Sequence, residues 1–253
     1  MIITRDFQFS FDEAAFLELH GPGLDAPGLR PKLAAALDEI ESLVEPAACF
    51  DSYPIEQVLH DRLQIAGGVK IGGGPVMAVV AGAEELFVAV CTAGPALDER
   101  IREYRERGRY LQMLLLDELG SWAVDQLRQQ LYERVQVELA ERGWRTSSPL
   151  SPGESDWPMR EQRIIFKLLD TAEIGVTLGP NFMMSPQKSL SVVFGAGARE
   201  MGSEGLTNCD FCSIQDRCRF TKTRDSGRHT HAASVVLAPA GNQIRDFPQE
   251  ERV

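Results

Sequence analysis

The chain has 253 residues, 43% apolar and 25% charged, enough to bury the core of one large domain or two small ones. Its formal net charge of −11 excludes general affinity for nucleic acid or an anionic membrane, because both need a basic face. The most apolar stretch, residues 76–91, is broken by Glu84 and Glu85 and cannot span a bilayer.

Arg5 and Asp6 arrive before any apolar run develops, so the start of the chain does not read as a secretory signal. The cysteine count of five is odd, and together these features point to a reducing cytoplasm.

Residues 2–9 alternate and predict a strand, after which Asp12 opens a short helix that stops at Gly21, Pro22 and Gly23. Residues 31–44 carry Leu33, Ala36, Leu37, Ile40 and Leu43 at helical spacing. Residues 58–71 read as strand-like and end in the turn signal Gly72, Gly73, Gly74 and Pro75. These glycines are not a phosphate loop, since the required Lys-Ser/Thr pair is missing. Leu86 to Cys91 predicts a compact buried strand, closed by a turn from Thr92 to Pro95.

The dominant predicted element is a helix over 109–142. Leu111, Leu115, Leu119, Trp122, Leu127, Leu131, Val135 and Leu139 recur at three- or four-residue steps, and Gly143 is placed to end it. Residues 147–158 hold too much proline and serine for regular structure. Helical periodicity resumes over 161–169, and Ser189 to Phe194 predicts a strand behind a proline-punctuated loop. Helices and strands mix without clean alternation, so the expected class is α+β. The expected organisation is an N-terminal subdomain over 1–84, a core over 85–200, a cysteine-rich segment over 201–237, and a flexible polar tail over 238–253.

Cys209, Cys212 and Cys218 fall within ten residues, a spacing at which thiolates converge on one soft metal centre. Two occupants suit them. Zinc would take His229 or His231 as a fourth ligand, whereas a 4Fe-4S cluster would leave one iron for another ligand. Asp210 and Asp216 add negative charge, which would favour the oxidised form of a cluster and lower its potential. Nearby Arg217, Arg219, Lys222 and Arg224 form a local basic patch, either a solvated face or an anion or partner site. Cys49 and Cys91 stand among apolar residues and read as small buried hydrophobes. No Gly-x-Ser-x-Gly or His-Glu-x-x-His signature supports a hydrolase.

Four motifs occur in order: residues 116–127 (LDELGSWAVDQL), 131–135 (LYERV), 151–158 (SPGESDWP) and 180–191 (PNFMMSPQKSLS). This succession resembles the activation domain of cobalamin-dependent methionine synthase, and is most similar to stand-alone relatives that carry a downstream cysteine cluster. The resemblance implies a long curved helix packed on a twisted antiparallel sheet, with S-adenosylmethionine bound in a groove. It also implies a cobalamin-binding methyltransferase as partner, to be rescued from the Co(II) state by reductive methylation.

Carried over by position, Asp125 would meet the ligand's amino group, and Pro152, Gly153, Trp157 and Pro158 would frame the ligand loop. Glu154 stands where the family usually has tyrosine, and Pro149 where the parent enzyme has a ligand-binding arginine. Ser185, Lys188, Ser189 and Ser191 would form either a polar groove floor or a turn and edge strand. Met183 and Met184 would line a groove or fill core gaps. The expected function is activation of a corrinoid methyltransferase by electron transfer through the iron–sulfur cluster. The alternative is a non-catalytic docking module with structural zinc.

Overall fold

A 32-residue helix and a seven-stranded antiparallel sheet divide the molecule between them. The computed structural model describes residues 1–20, 26, 28–154 and 156–203. Cys209, Cys212 and Cys218, His229 and His231, and the expected tail therefore lie outside the described residues.

The sheet is built on two long strands, β2 (Ala47–Val58) and β5 (Glu85–Thr92), paired in register from Ala47↔Thr92 to Pro54↔Glu85. On its other side β5 pairs along its whole length with β9 (Ser189–Gly197), which follows a separate two-stranded pair, β7 (Thr177–Leu178) with β8 (Met184–Ser185). The far edge of β2 is shared. β1 (Ile2–Thr4) covers Ala48 to Phe50, and β3 (Arg62–Ile65) covers Ile55 to Val58 beyond a bulge at Ile55/Gln57. A tight hairpin joins β3 to β4 (Val69–Gly72), and the two-residue β6 (Arg145–Thr146) closes the end of β9. Residues before and after position 84 thus share one sheet.

Side chains alternate across this sheet, so each face has its own partner layer. Ala47, Cys49, Leu86, Val88, Val90 and Val193 join a core with Val76 and Val79 of α3 (Val76–Val79), Ile165 of α6 (Gln162–Leu168) and Trp157. On the opposite face Phe87 and Phe194 stack at 5.1 Å, and Tyr132 of α5 (Tyr110–Glu141) meets Phe194 edge-on at 5.1 Å. Cys49 and Cys91 are free, buried thiols on these two faces, as their apolar setting predicts. Burial pushes the Cys49 thiol up to about 11 and the Cys91 thiol up to about 12, so both stay neutral.

Helix α5 matches the predicted span within a residue at each end. Leu116, Ala123, Leu127, Leu131, Val135 and Leu139 are buried on it at steps of seven and then four, and burying each leucine is worth about 2 kcal/mol. Its end is a Schellman motif: Gly143 takes φ 75°, Gly143 N–H donates to Ala140 O, and Trp144 N–H donates to Leu139 O. On the side away from the sheet lie α1 (Glu13–His20), α2 (Arg30–Glu41) and α4 (Pro95–Glu106). Asp12 Oδ1 caps the first turn of α1 through Ala15 N–H at 2.8 Å, and Phe16 packs on Trp122 at 5.6 Å.

Three expectations need correction. The strand predicted over 2–9 stops at Thr4. Beyond it the backbone is satisfied by side chains of α5: Gln8 N–H donates to Gln130 Oε1 at 3.0 Å and Ser10 N–H to Gln126 Oε1 at 3.2 Å. The amide groups of both glutamines donate back to Gln8 O and Ser10 O, so two glutamines one turn apart stand in for a strand partner. Residues 58–71 are a hairpin of two short strands rather than one, because Gly67 and Gly68 turn the chain at φ 83° and 72°. Helix α4 was not expected; its apolar positions reduce to Leu97, Ile101 and Tyr104 among many charges. Among the described residues no helix is long and apolar enough to cross a membrane.

Candidate functional site

One stripe of α5 is polar where the rest of that face is apolar: Asp117, Ser121, Asp125, Arg128 and Tyr132 recur every three or four residues. Lys188, just before β9, reaches across to Asp117 Oδ1 at 2.8 Å and Ser121 Oγ at 3.1 Å, with its side chain 11% exposed. At the other end of the stripe, Tyr132 OH donates to Ser147 O at 2.8 Å and lies 2.9 Å from Thr146 Oγ1. Burial raises the Tyr132 pKa and the contact with Thr146 partly opposes the rise, so the hydroxyl acts here as a neutral strut.

Between these struts sits an ion pair. Arg128 Nη2 and Nε donate to Asp125 Oδ1 at 2.5 and 3.0 Å. Asp125 is exposed, whereas the Arg128 side chain is only 20% exposed. Burial works against the guanidinium charge, yet Asp125 and Glu154 beside it hold its pKa above the ordinary arginine value.

Glu154 arrives from the loop after β6, which is tied to β9. Ser147 N–H donates to Gly195 O at 2.9 Å, and Leu150 and Val193 exchange both backbone bonds at 2.8 Å. The loop then folds on itself: Glu154 N–H donates to Ser151 O at 3.0 Å, Trp157 N–H to Glu154 O at 2.8 Å, and Gly153 N–H to Trp157 O at 2.7 Å. Gly153 takes φ +100°, a conformation that other residues rarely adopt, so the turn needs glycine here. Ser151 N–H donates to Glu154 Oε2 at 3.2 Å and orients the carboxylate.

Burial is the main cause lifting the Glu154 carboxyl above its usual range; Arg128 and Ser151 N–H pull it down, and Asp125 pushes it up. The residue nonetheless reaches solvent. With Gly153 it meets the Asp125–Arg128 pair where the loop approaches α5, at one corner of the helix face.

Trp157 closes the loop from beneath. It is 1% exposed, and its Nε1–H donates to Gly72 O at 3.0 Å. The neighbouring 3-10 turn, residues 159–161, adds Glu161, which takes both terminal nitrogens of Arg62 at 3.1 Å. Both anchors fasten the loop to the β3–β4 hairpin.

Of the four expected ligand residues, Asp125 and Gly153 lie at this corner with Glu154. Pro152 and Trp157 are buried, Trp157 in the core as the loop's anchor. Pro149 carries no charge, and the guanidinium found beside Asp125 is that of Arg128 on the helix. Its position one turn after Asp125 was the signal in the sequence.

The serines divide. Ser189 donates to Thr92 Oγ1 at 2.9 Å, while Ser191 is 1% exposed with its Oγ unpartnered. Because Val193 bonds outward to Leu150, antiparallel alternation turns the Ser191 backbone N–H and C=O to that same outer edge. Met183 is exposed and Met184 packs against the core.

A concavity of about 320 Å³ is lined by Arg163, Phe166, Lys167, Leu178, Gly179 and Pro180 and shares no residue with the corner. Among the described residues no group of three or more His, Cys, Asp or Glu side chains is placed to hold a metal ion.

Comparison with solved structures finds the crystal structure of the MetH reactivation domain bound to AdoHcy. It matches with a TM-score of 0.56 and 16% sequence identity, over 80% of this chain and 80% of that one. Neither protein-family models nor curated proteins yield a match to the sequence. The long helix on a curled antiparallel sheet, expected from the four motifs, is therefore the fold of a methionine synthase reactivation domain.

Proposed function

We propose that this protein activates a cobalamin-dependent methyltransferase, binding S-adenosylmethionine at the corner formed by Asp125, Arg128, Gly153 and Glu154. The supporting observation is that this set of charged side chains gathers on the fold of a domain whose crystal structure holds AdoHcy. The donor set suits an amino-acid zwitterion. Asp125 accepts from its ammonium group and Arg128 offers a two-pronged guanidinium to its carboxylate. When bound, S-adenosylmethionine supplies the methyl group. The residues of this chain hold and orient it, and the loop 147–157 keeps its reacting end against the open side of α5.

On this reading Cys209, Cys212 and Cys218 would hold a 4Fe-4S cluster, which would supply the low-potential electron that reductive methylation needs, with an external one-electron reductant as its source. Ser203, the last described residue, accepts through its Oγ from Ser148 N–H at 2.8 Å. The strongly acidic chain suits steering onto a partner protein rather than onto nucleic acid.

Iron and zinc analysis with visible and paramagnetic spectra of anaerobically prepared protein tests the electron donor. Iron with a thiolate charge-transfer band supports it; stoichiometric zinc without iron replaces it with a structural site in a docking module. Calorimetric titration with S-adenosylmethionine tests the corner, and Asp125→Asn and Arg128→Met should each weaken binding about tenfold or more.

A further inference from the structure

Asp125, Arg128 and Glu154 place two negative charges and one positive charge at one corner. A single guanidinium cannot neutralise both acids, and Asp125 holds it at short range through two nitrogens. Glu154 is left with the Ser151 N–H and only the longer-range attraction of Arg128. Its raised carboxyl pKa means that the charged form is disfavoured in the folded protein. Backbone groups make the turns around it, and the one side-chain bond, from Ser151 N–H, can be accepted by the neutral carbonyl of a glutamine as well as by a carboxylate. The surplus negative charge is therefore not a requirement of the fold.

Resting on the reading that this corner binds S-adenosylmethionine, we propose that Glu154 faces the ligand's sulfonium and makes the site selective for the charged methyl donor over its neutral thioether product, S-adenosylhomocysteine. The donor carries three charges: a carboxylate, an ammonium and a sulfonium. The corner offers one opposite charge for each, Arg128, Asp125 and Glu154 respectively. The amino-acid end lies along the rigid helix, one turn of which spans Asp125 and Arg128, and the sulfur lies toward the loop that carries Glu154.

With the donor bound, a net charge of −1 on the three side chains meets a net charge of +1 on the ligand. With the demethylated product the ligand is neutral overall, and Glu154 again lacks a counter-charge. The charge that recognises the donor thereby also favours release of the product. Such discrimination uses an unpaired group against the wrong ligand as well as a good contact to the right one.

The test is calorimetric titration of the full chain with S-adenosylmethionine and with S-adenosylhomocysteine, repeated on Glu154→Gln and Glu154→Asp. The wild-type chain should prefer the donor by about tenfold or more, the worth of one partly solvated charge contact. Glu154→Gln should lose about tenfold in donor affinity while product affinity stays within about twofold, so the preference collapses. Glu154→Asp keeps the charge and should retain a preference for the donor. Thermal melting guards against a folding artefact: Glu154→Gln should melt at or above the wild-type temperature at neutral pH, because it removes a disfavoured charge. Equal affinities in the wild type, or a preference unchanged in Glu154→Gln, overturns the assignment of Glu154 and leaves the ligand corner standing. Binding of neither compound refutes the corner as a ligand site and the assignment with it.

Discussion

Replacing Trp157 by phenylalanine should destabilise the protein far more than a conservative aromatic exchange ordinarily does. The indole is 1% exposed and its N–H is bonded to Gly72 O at 3.0 Å. Phenylalanine cannot donate, so a buried carbonyl is left unsatisfied at about 1–3 kcal/mol. The smaller ring also leaves a void of a few tens of Å³, adding about 1 kcal/mol. The sum is about 2–4 kcal/mol, and Trp157→Ala should cost about 3–5 kcal/mol. At this chain length each kcal/mol lowers the melting temperature by about 2–4 °C.

Urea titration followed by circular dichroism measures the loss. Calorimetry with S-adenosylmethionine on the same variant should show weakened affinity, because the indole anchors the loop that carries Gly153 and Glu154. A Trp157→Phe protein within about 0.5 kcal/mol of the parent would refute the claim that this hydrogen bond secures the loop.

Arg62→Met strips the partner from Glu161, whose side chain is 5% exposed, and should cost about 2–4 kcal/mol in urea titration, with Arg62→Lys recovering part of it. Cys49 and Cys91 have folded-state pKa values raised by burial from 9.0 to about 11 and about 12. Their contribution to stability is thus complete below pH 9.0 and is lost as pH rises through about 11 to 12. The urea midpoint of the wild type should accordingly fall more steeply across that window than that of the Cys49→Ala/Cys91→Ala double variant. Gln126→Ala and Gln130→Ala should each free one backbone amide of the N-terminal segment, Ser10 and Gln8 respectively. Hydrogen exchange should quicken at the matching amide while the amides of β2 and β5 stay protected.

Helix α5 was legible because its apolar spacing runs uninterrupted over eight turns, and a strong local period needs no tertiary information to be read. β5 was legible for a similar reason, since every residue from Leu86 to Thr92 is buried and the sequence there is nearly all apolar. β2 was missed although it is one of the two longest-paired strands in the sheet. Asp51, Ser52, Pro54 and Glu56 interrupt its apolar pattern, and what makes it a strand is pairing with β5, more than thirty residues away. Strand propensity of this kind is set by context more than by residue type. α4 was passed over because charge dominates its composition, although Leu97, Ile101 and Tyr104 do mark one buried face.

By itself the sequence determined the class of fold, the spine helix and the irregular loop at 147–158, which rest on local periodicity or on residues adjacent in the chain, whereas Asp125 was singled out by the family resemblance. Only the tertiary structure decided what surrounds Asp125. The Leu150–Val193 bridge brings Glu154 to the helix, and the Trp157–Gly72 bond holds it there. Those contacts join segments dozens of residues apart in the chain, and no short-range pattern encodes them. The same departure from the family pattern that sequence alone could only register, an acid in place of tyrosine at 154, becomes a surplus charge beside a shared arginine once the chain is folded.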